Sequence, residues 1–263
     1  MQTSTSLLAI ALPALGAGLA VSAVAFSGVF VLWLTPSQLE RLVPNLVGLA
    51  VGVLLGDAFI HLIPDAVARH GDVGEVCLAV LGGLFLFFVL EKLVRWRHDH
   101  TISHGRGPST VQPMARMNLI GDAVHNFIDG ILIAGSFWVD PWIGTTTTLA
   151  IIAHEIPQEI GDVGALIQGG YRPREAIRYN FYCSLSVLAG IAATLLLGRF
   201  AESSLTLLLP LAAGGFIYIA ASDFIPALHS RVAAPQWGQV FTFGIGIGLM
   251  KSVVVFEQLI AIL

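Results

Sequence analysis

The sequence predicts an all-α polytopic membrane protein: eight transmembrane helices, the second and seventh related as an inverted repeat, around a central hairpin of the fourth and fifth. Three observations carry that prediction. Of 263 residues, 56% are hydrophobic and 11% charged, with mean hydropathy +0.81, whereas soluble domains carry about 25% charged residues. A water-soluble monomer is thereby excluded, as are disordered and nucleic-acid-binding chains. Apolar runs broken by short polar stretches continue from Leu7 to the carboxyl terminus, leaving no room for a separate soluble domain. Finally, residues 49–66, LAVGVLLGDAFIHLIPDA, align without gaps on 211–228, LAAGGFIYIAASDFIPAL, with identities at Leu49/Leu211, Ala50/Ala212, Gly52/Gly214, Ala58/Ala220, Ile63/Ile225 and Pro64/Pro226.

A helix needs about 20 mostly apolar residues to cross the hydrocarbon core. On that criterion the spans fall near 7–33, 44–67, 74–96, 114–138, 143–168, 175–198, 205–228 and 238–262. The first lacks the basic segment that a signal peptide needs, its first cation being Arg41, and is read as a span although Ala23-Val24-Ala25 resembles a cleavage site. In the second, Asp57, His61 and Asp65 recur every four residues and form a stripe along one side. Asp223 in the seventh occupies the position matching His61. These residues read as lining a pathway or as helix-end anchors. Pro64 and Pro226 are expected to kink or end their helices. Asn180 in the sixth span is a further ligand or a helix-packing hydrogen bond. In the eighth, Gly244, Gly246 and Gly248 are expected to permit close helix packing, and Lys251 and Glu257 have no evident partner. Cys77 and Cys183 lie in apolar runs and read as packing residues. The tryptophans at 33, 96, 138, 142 and 237 fall near span ends, as interfacial anchors do.

Basic residues give the orientation. With both termini outside, the cytoplasmic loops carry ten Lys and Arg: Arg41; Lys92, Arg95, Arg97, Arg106 and Arg116; Arg172, Arg174 and Arg178; and Arg231. The opposite side has two, Arg69 and Arg199. Both termini are therefore expected to face away from the cytoplasm. The repeated segments, five spans apart, then cross in opposite directions, as inverted repeats do in secondary transporters.

An ionisable side chain at the bilayer centre costs at least about 2.5–3.5 kcal/mol on insertion scales, so a cluster of them needs internal partners or a bound ion. The fourth span supplies Asp122, His125, Asn126 and Asp129 from GDAVHNFIDG; the fifth supplies His154, Glu155, Gln158, Glu159 and Asp162 from HEIPQEIGD. His125 is fifteen residues before the turn near Asp140 and His154 fourteen after it. At about 1.5 Å per residue, both histidines lie at nearly the same depth, about 21–23 Å from the turn. Residues four apart share a helix face, which aligns His125 with Asp129, Asp122 with Asn126, His154 with Gln158 and Glu155 with Glu159. Pro157 cannot donate to the carbonyl of Ala153 and frees that oxygen at the level of His154. Imidazole, carboxylate and amide donors without thiolate suit zinc, iron or manganese better than copper(I). Asp129 and Glu155 could bridge two such ions. The bland alternative is that these groups only hydrogen-bond one helix to another.

HNFIDG at 125–130 followed by HEIPQEIGD at 154–162 resembles the paired fourth- and fifth-helix signatures of the ZIP (Zrt-, Irt-like) family of divalent metal transporters, most of all the branch whose fifth helix reads HEIPHELGD. The resemblance covers the whole chain. It implies uptake of divalent metal toward the cytoplasm without ATP, through a binuclear site whose ligands are His125, Asn126, Asp129, His154, Glu155 and the position of Gln158. It also implies elevator-like motion of one helix bundle against a scaffold that often dimerises. The transported metal is the only ion implied; no cofactor is expected. One departure is Gln158, which stands where that branch has a second histidine and is a weaker, neutral ligand, so iron or manganese gain ground against zinc. The loop 98–112, rich in Gly, Pro and Ser, bears His98, Asp99, His100 and His104, which either pass metal onward or are simply solvated.

The rival reading is an intramembrane zinc hydrolase, in which HExxH places two zinc-binding histidines on one helix face. His154-Glu155-Ile156-Pro157-Gln158 lacks the second. No G-x-S-x-G and no Walker motif occur.

Overall fold

The computed structural model describes residues 7–103, 111–229 and 237–262, and every regular element among them is helical. Helix α1 (Leu7–Val24) tightens into a 3-10 stretch at Ala25–Trp33, and α2 (Pro36–Gly56) continues through a π-helical turn, Asp57–Leu62, into α3 (Ile63–His70). Then come α4 (Val73–Ser103), α5 (Pro113–Val139), α6 (Pro141–Gln168), α7 (Pro173–Ser184) and α8 (Ser186–Leu197). Helix α9 (Arg199–Ile219) passes through a second π turn, Ala220–Phe224, into α10 (Ile225–His229), and α11 (Trp237–Ile262) completes the described chain.

Among the described residues, six stretches are long and apolar enough to cross a membrane: Leu7–Trp33, Pro36–His70, Val73–Leu93, Pro173–Leu197, Ser203–His229 and Trp237–Phe256. This is a multi-pass membrane protein. Helices α5 and α6 have 27 and 28 residues, more than the length a crossing needs, but their polar side chains set them apart from the six.

Local chemistry fixes the boundaries. The second span, expected from residue 44, begins at Pro36, because Thr35 forms a capping box: its hydroxyl accepts from the Gln38 amide at 3.4 Å, and Gln38 Oε1 accepts from the Thr35 amide at 2.9 Å. Ser37, Gln38, Glu40 and Arg41 make these first turns polar, so an apolar count passes over them. A single extended residue, Asp140, separates α5 from α6; its carboxylate accepts from the Trp142 amide at 2.7 Å, and Pro141 at the first helical position has no N–H to satisfy. Helix α6 ends in a Schellman motif, with Tyr171 N–H bonded to Leu166 O, Gly170 N–H to Ile167 O, and Gly170 at φ 101.

The sixth span, one apolar stretch from Pro173 to Leu197, carries a local break at Leu185 between α7 and α8, where Ser22 and Ser184 donate to one another's carbonyls and Ser186 donates to Ala123 O at 2.6 Å. One expectation needs correction. Helix α4 runs on to Ser103, so the backbone of 98–103 is helical rather than loop; the side chains of His98 and His100, and all of His104, lie outside the described residues. Pro64 and Pro226 each follow a local distortion of a helical stretch that runs on past them. In each case the preceding residue donates five positions back, Ile63 to Ala58 O and Ile225 to Ala220 O. Proline cannot donate and its ring crowds the carbonyl four back; widening the turn to the π spacing accommodates it.

The α5–α6 hairpin is central. Helix α5 packs on α8 and α9, α6 on α2, α2 on α11, α4 on α9, and α1 against α5, α6 and α8. The apolar window of Pro36–His70 is 67% buried, against 17% for Val73–Leu93, so α4 is peripheral. Val47, Val51, Leu54, Ile128, Ile131, Phe216 and Ile219 join α2, α5 and α9 in one apolar core. Backbones approach closely where glycines meet: a Cβ on Gly246 would strike Leu49 O and Gly52 Cα, and one on Gly52 would strike Phe243 O. Gly244 and Gly248 face open space, so of the three glycines expected to pack only Gly246 does. Cys77 is exposed rather than packed, because it lies on peripheral α4, while half-buried Cys183 donates to Leu119 O at 3.3 Å. Trp33, Trp138, Trp142 and Trp237 are exposed near helix ends; the Trp96 and Glu257 side chains lie outside the described residues, and Lys251 is exposed.

Gly52→Val is expected to force α2 from α11 and cost about 1–3 kcal/mol, read as a lowered Tm in detergent, while Gly248→Ala leaves Tm unchanged.

Candidate metal centre

The one-residue turn at Asp140 sets α5 and α6 in register, and the two histidines meet: His125 Nε2 and His154 Nε2 are 3.4 Å apart. Two carboxylates complete the group. Asp129 Oδ2 lies 3.5 Å from His125 Nε2 and 3.3 Å from His154 Nε2; Glu155 Oε1 lies 3.4 and 3.9 Å from the same atoms. All four side chains are buried, and their four donor atoms lie within 4.8 Å of one another.

These spacings have a coordination meaning. Four donors placed tetrahedrally about 2.0–2.1 Å from a zinc ion are about 3.3–3.4 Å apart along each edge. Four of the five recorded edges lie between 3.3 and 3.5 Å. Two carboxylates and two neutral imidazoles around a divalent cation also sum to zero charge, the condition under which such a group is tolerable in lipid.

Surrounding groups orient the quartet. Asp57 Oδ2 is 3.7 Å from His125 Nδ1, and Asp57 Oδ1 pairs with His61 Nδ1 at 2.9 Å. The His61 ring lies 5.5 Å from the His154 ring, and the Phe216 ring 5.2 Å from the His125 ring. Helix α6 runs through Pro157, one turn from the quartet. The π turns place Asp57 and His61 in the first and Asp223, buried, in the second. Asp65 is half-buried on α3, outside the quartet.

The remaining residues of the two motifs divide. Asn126 is buried, its Nδ2 donating to Asp122 O at 3.2 Å and to Asp122 Oδ1 at 2.8 Å, with its Oδ1 unpaired. Gln158 is buried one turn beyond His154, with neither amide atom hydrogen-bonded. Glu159 accepts from Asn180 Nδ2 of α7, and Asp162 is buried beside Asn118. Among imidazole and carboxylate groups, the donors drawn together are those of His125, Asp129, His154 and Glu155. Two contacts lay beyond sequence reasoning: Asp57 against His125, since nothing in a single stripe says which neighbouring helix it meets, and Asn118, whose only signal was a polar residue two turns before His125.

Comparison with known proteins gives the same direction. The profile of the ZIP zinc transporter family matches residues 9–113 and 97–253. The chain is similar to zinc transporter zipt-7.1 of Caenorhabditis briggsae, 29% identical over 81% of this chain and 71% of that protein. It is 30% identical to zinc transporter SLC39A7 of Mus musculus over 93% of this chain and 70% of that one. With zinc transporter ZIP4 of Rattus norvegicus it is 30% identical over 72% of this chain, spanning 39% of the longer protein. With 245 of its residues, numbers 9 through 253, under one family profile, the chain belongs to the ZIP zinc transporter family.

Proposed function

We propose that the protein is a secondary transporter that takes up divalent metal, zinc foremost, toward the cytoplasm through the quartet of His125, Asp129, His154 and Glu155. The carrying observation is that four of the five donor separations given match the edges of a zinc tetrahedron, the fifth being 3.9 Å. Zinc, a d10 ion, accepts that geometry without penalty, so the replacement of a histidine by Gln158 leaves the primary site whole. Asn126 and Gln158 serve as additional ligands when a second ion is held, with Asp129 or Glu155 bridging. Iron, manganese and cadmium are secondary cargo.

Helices α5 and α6 span the membrane with the six apolar stretches, giving eight crossings and both termini outside. Supporting the inverted repeat, the two π turns overlap in the alignment, Asp57–Leu62 falling on 219–224 against Ala220–Phe224, each followed by its proline. His61 and Asp223 on those turns, and Asp65 beyond the first, line the route to the quartet. His98, His100 and His104 take up released metal on the cytoplasmic side. On the family resemblance we propose a homodimer. The hydrolase reading is not favoured: the relatives are named as transporters, and Gln158 stands where a second zinc-binding histidine would be needed.

In proteoliposomes, saturable zinc influx is expected for the native chain and at background in His125→Ala and Asp129→Ala; normal influx in both would refute the quartet. Gln158→His is expected to raise the zinc-to-manganese flux ratio, because it adds an imidazole one turn from His154; an unchanged ratio would remove Gln158 from the site. For orientation, Arg172→Cys in a chain lacking Cys77 and Cys183 is expected to react only with reagent supplied to the cytoplasmic face.

A further inference from the structure

Helix α5 has a face that the quartet does not use. The helix meets α8 where Gly130 approaches Val187 O, and α9 where a Cβ on Gly121 would strike Ile219. Beside those contacts an open groove of about 450 Å3 is lined by Leu119, Ile120, Ala123, Val124 and Phe127, with Ser186 of α8 at its rim. Spacings of three and four put the α5 residues on one side of the helix, over about 12 Å of its length. The one polar side chain lining it, Ser186, gives its proton to Ala123 O at 2.6 Å. What the groove offers an occupant is therefore hydrocarbon.

The chemistry changes at one end. Arg116 lies on the same side of α5 as Leu119 and Ile120, one turn nearer the helix start, and close to Tyr171. The Tyr171 ring is 5.2 Å from that of Tyr179, which stands 6.3 Å from that of exposed Tyr182 and has the exposed Arg178 guanidinium over it at 5.2 Å. Cys183, next to Tyr182, donates to Leu119 O at 3.3 Å and ties this aromatic row of α7 to the mouth of the groove. The carboxylate nearby, Glu175, accepts from the Arg172 amide at 3.1 Å. An apolar channel thus ends at guanidinium and phenol groups, in the order of a phospholipid's acyl chain and phosphate. A neighbouring helix, about 10 Å across, is too thick for it, and helices associate in lipid through small residues, of which the α5 lining has only Ala123. A volume of about 450 Å3 lies within the range of small-molecule sites, about 300–1,000 Å3.

We propose that this groove holds one acyl chain of an anionic phospholipid of the surrounding bilayer, whose phosphate sits among Arg116, Arg178 and the tyrosine row. Basic side chains at a membrane surface each favour anionic lipid about fivefold, and the fixed groove adds a place where the chain is held. Val124 and Phe127 flank His125 and Asn126 in sequence, so the bound chain lies against the segment of α5 that carries a histidine of the quartet. The site is independent of the transport reading.

The test places the purified full-length chain in phosphatidylcholine nanodiscs containing a trace of phosphatidylglycerol or phosphatidylcholine with a diazirine in its acyl chain, and maps the photolabelled peptides by mass spectrometry. In the native chain the phosphatidylglycerol probe is expected to label residues 119–127 at least about fivefold more than the phosphatidylcholine probe, while the exposed face of α4 around Leu81 and Phe85 takes up both equally. Arg116→Gln combined with Arg178→Gln is expected to bring groove labelling by the two probes to the same level. Equal labelling of the groove in the native chain, or a preference that survives the double variant, overturns the proposal. Should the double variant misfold, Arg116→Lys combined with Arg178→Lys decides: the preference is expected to persist with the charge, and its loss from a folded lysine variant overturns the site. A disulfide between two copies of Val124→Cys would assign the groove to a second chain instead. Zinc influx in proteoliposomes separates this inference from the transport reading. Labelling as expected without influx removes the transport function alone; influx with equal labelling removes the lipid site alone.

Discussion

The single residue between α5 and α6 leaves the hairpin no room to slide. Asp140 caps α6 through its own carboxylate and Pro141 begins the helix, so the register is set at the turn and carried about 20 Å inward along two rigid rods. His125 and His154 meet because they are nearly equidistant from that point. A two-residue loop or a weaker cap would displace one histidine by part of a turn and pull the four donor atoms apart. Everything chemically distinctive about the chain depends on that alignment, and the surrounding helices serve to keep it dry.

Around the hairpin, backbone contacts rather than bulky side chains bring the helices close. Gly52 and Gly246 let α2 and α11 touch, and Gly130 meets Val187 O while Gly190 meets Phe127 O, drawing α8 onto α5. In lipid there is no hydrophobic gain from helix association, so close packing and interhelical hydrogen bonds hold the bundle. The serine exchange between Ser22 and Ser184, at the break between α7 and α8, is one such bond pair. Where proline interrupts the ladder, in the repeated second and seventh spans, the helix widens rather than stops.

Much of this was legible in the sequence. Run lengths located the helices, and counting from Asp140 put the histidines at one level. The spacing of four placed Asp129 on the face of His125. What escaped was azimuth and rotamer. The stripe of Asp57, His61 and Asp65 defines one side of a helix, but not that the side meets α5, so the approach of Asp57 to His125 had no signal. Asn126 carries the identity of a ligand, but that its amide nitrogen bonds to Asp122 one turn back is settled by a local hydrogen bond and not by residue type. The polar first turns after Thr35 and the break at Leu185 were hidden for a related reason: hydropathy averages over a window, whereas caps and breaks are decided by single groups.

On the proposed zinc reading, the near-tetrahedral spacing of the quartet also governs how an ion would arrive. A metal in water carries a full hydration shell, and four donors already set at ligand distance leave no volume for it. Only an ion that readily exchanges six water contacts for four protein ones can settle there. Zinc does so with no electronic preference for the larger number, while magnesium holds its octahedral waters tightly. On that reading the abundant competitor would be turned away by the cost of undressing, although its charge is the same.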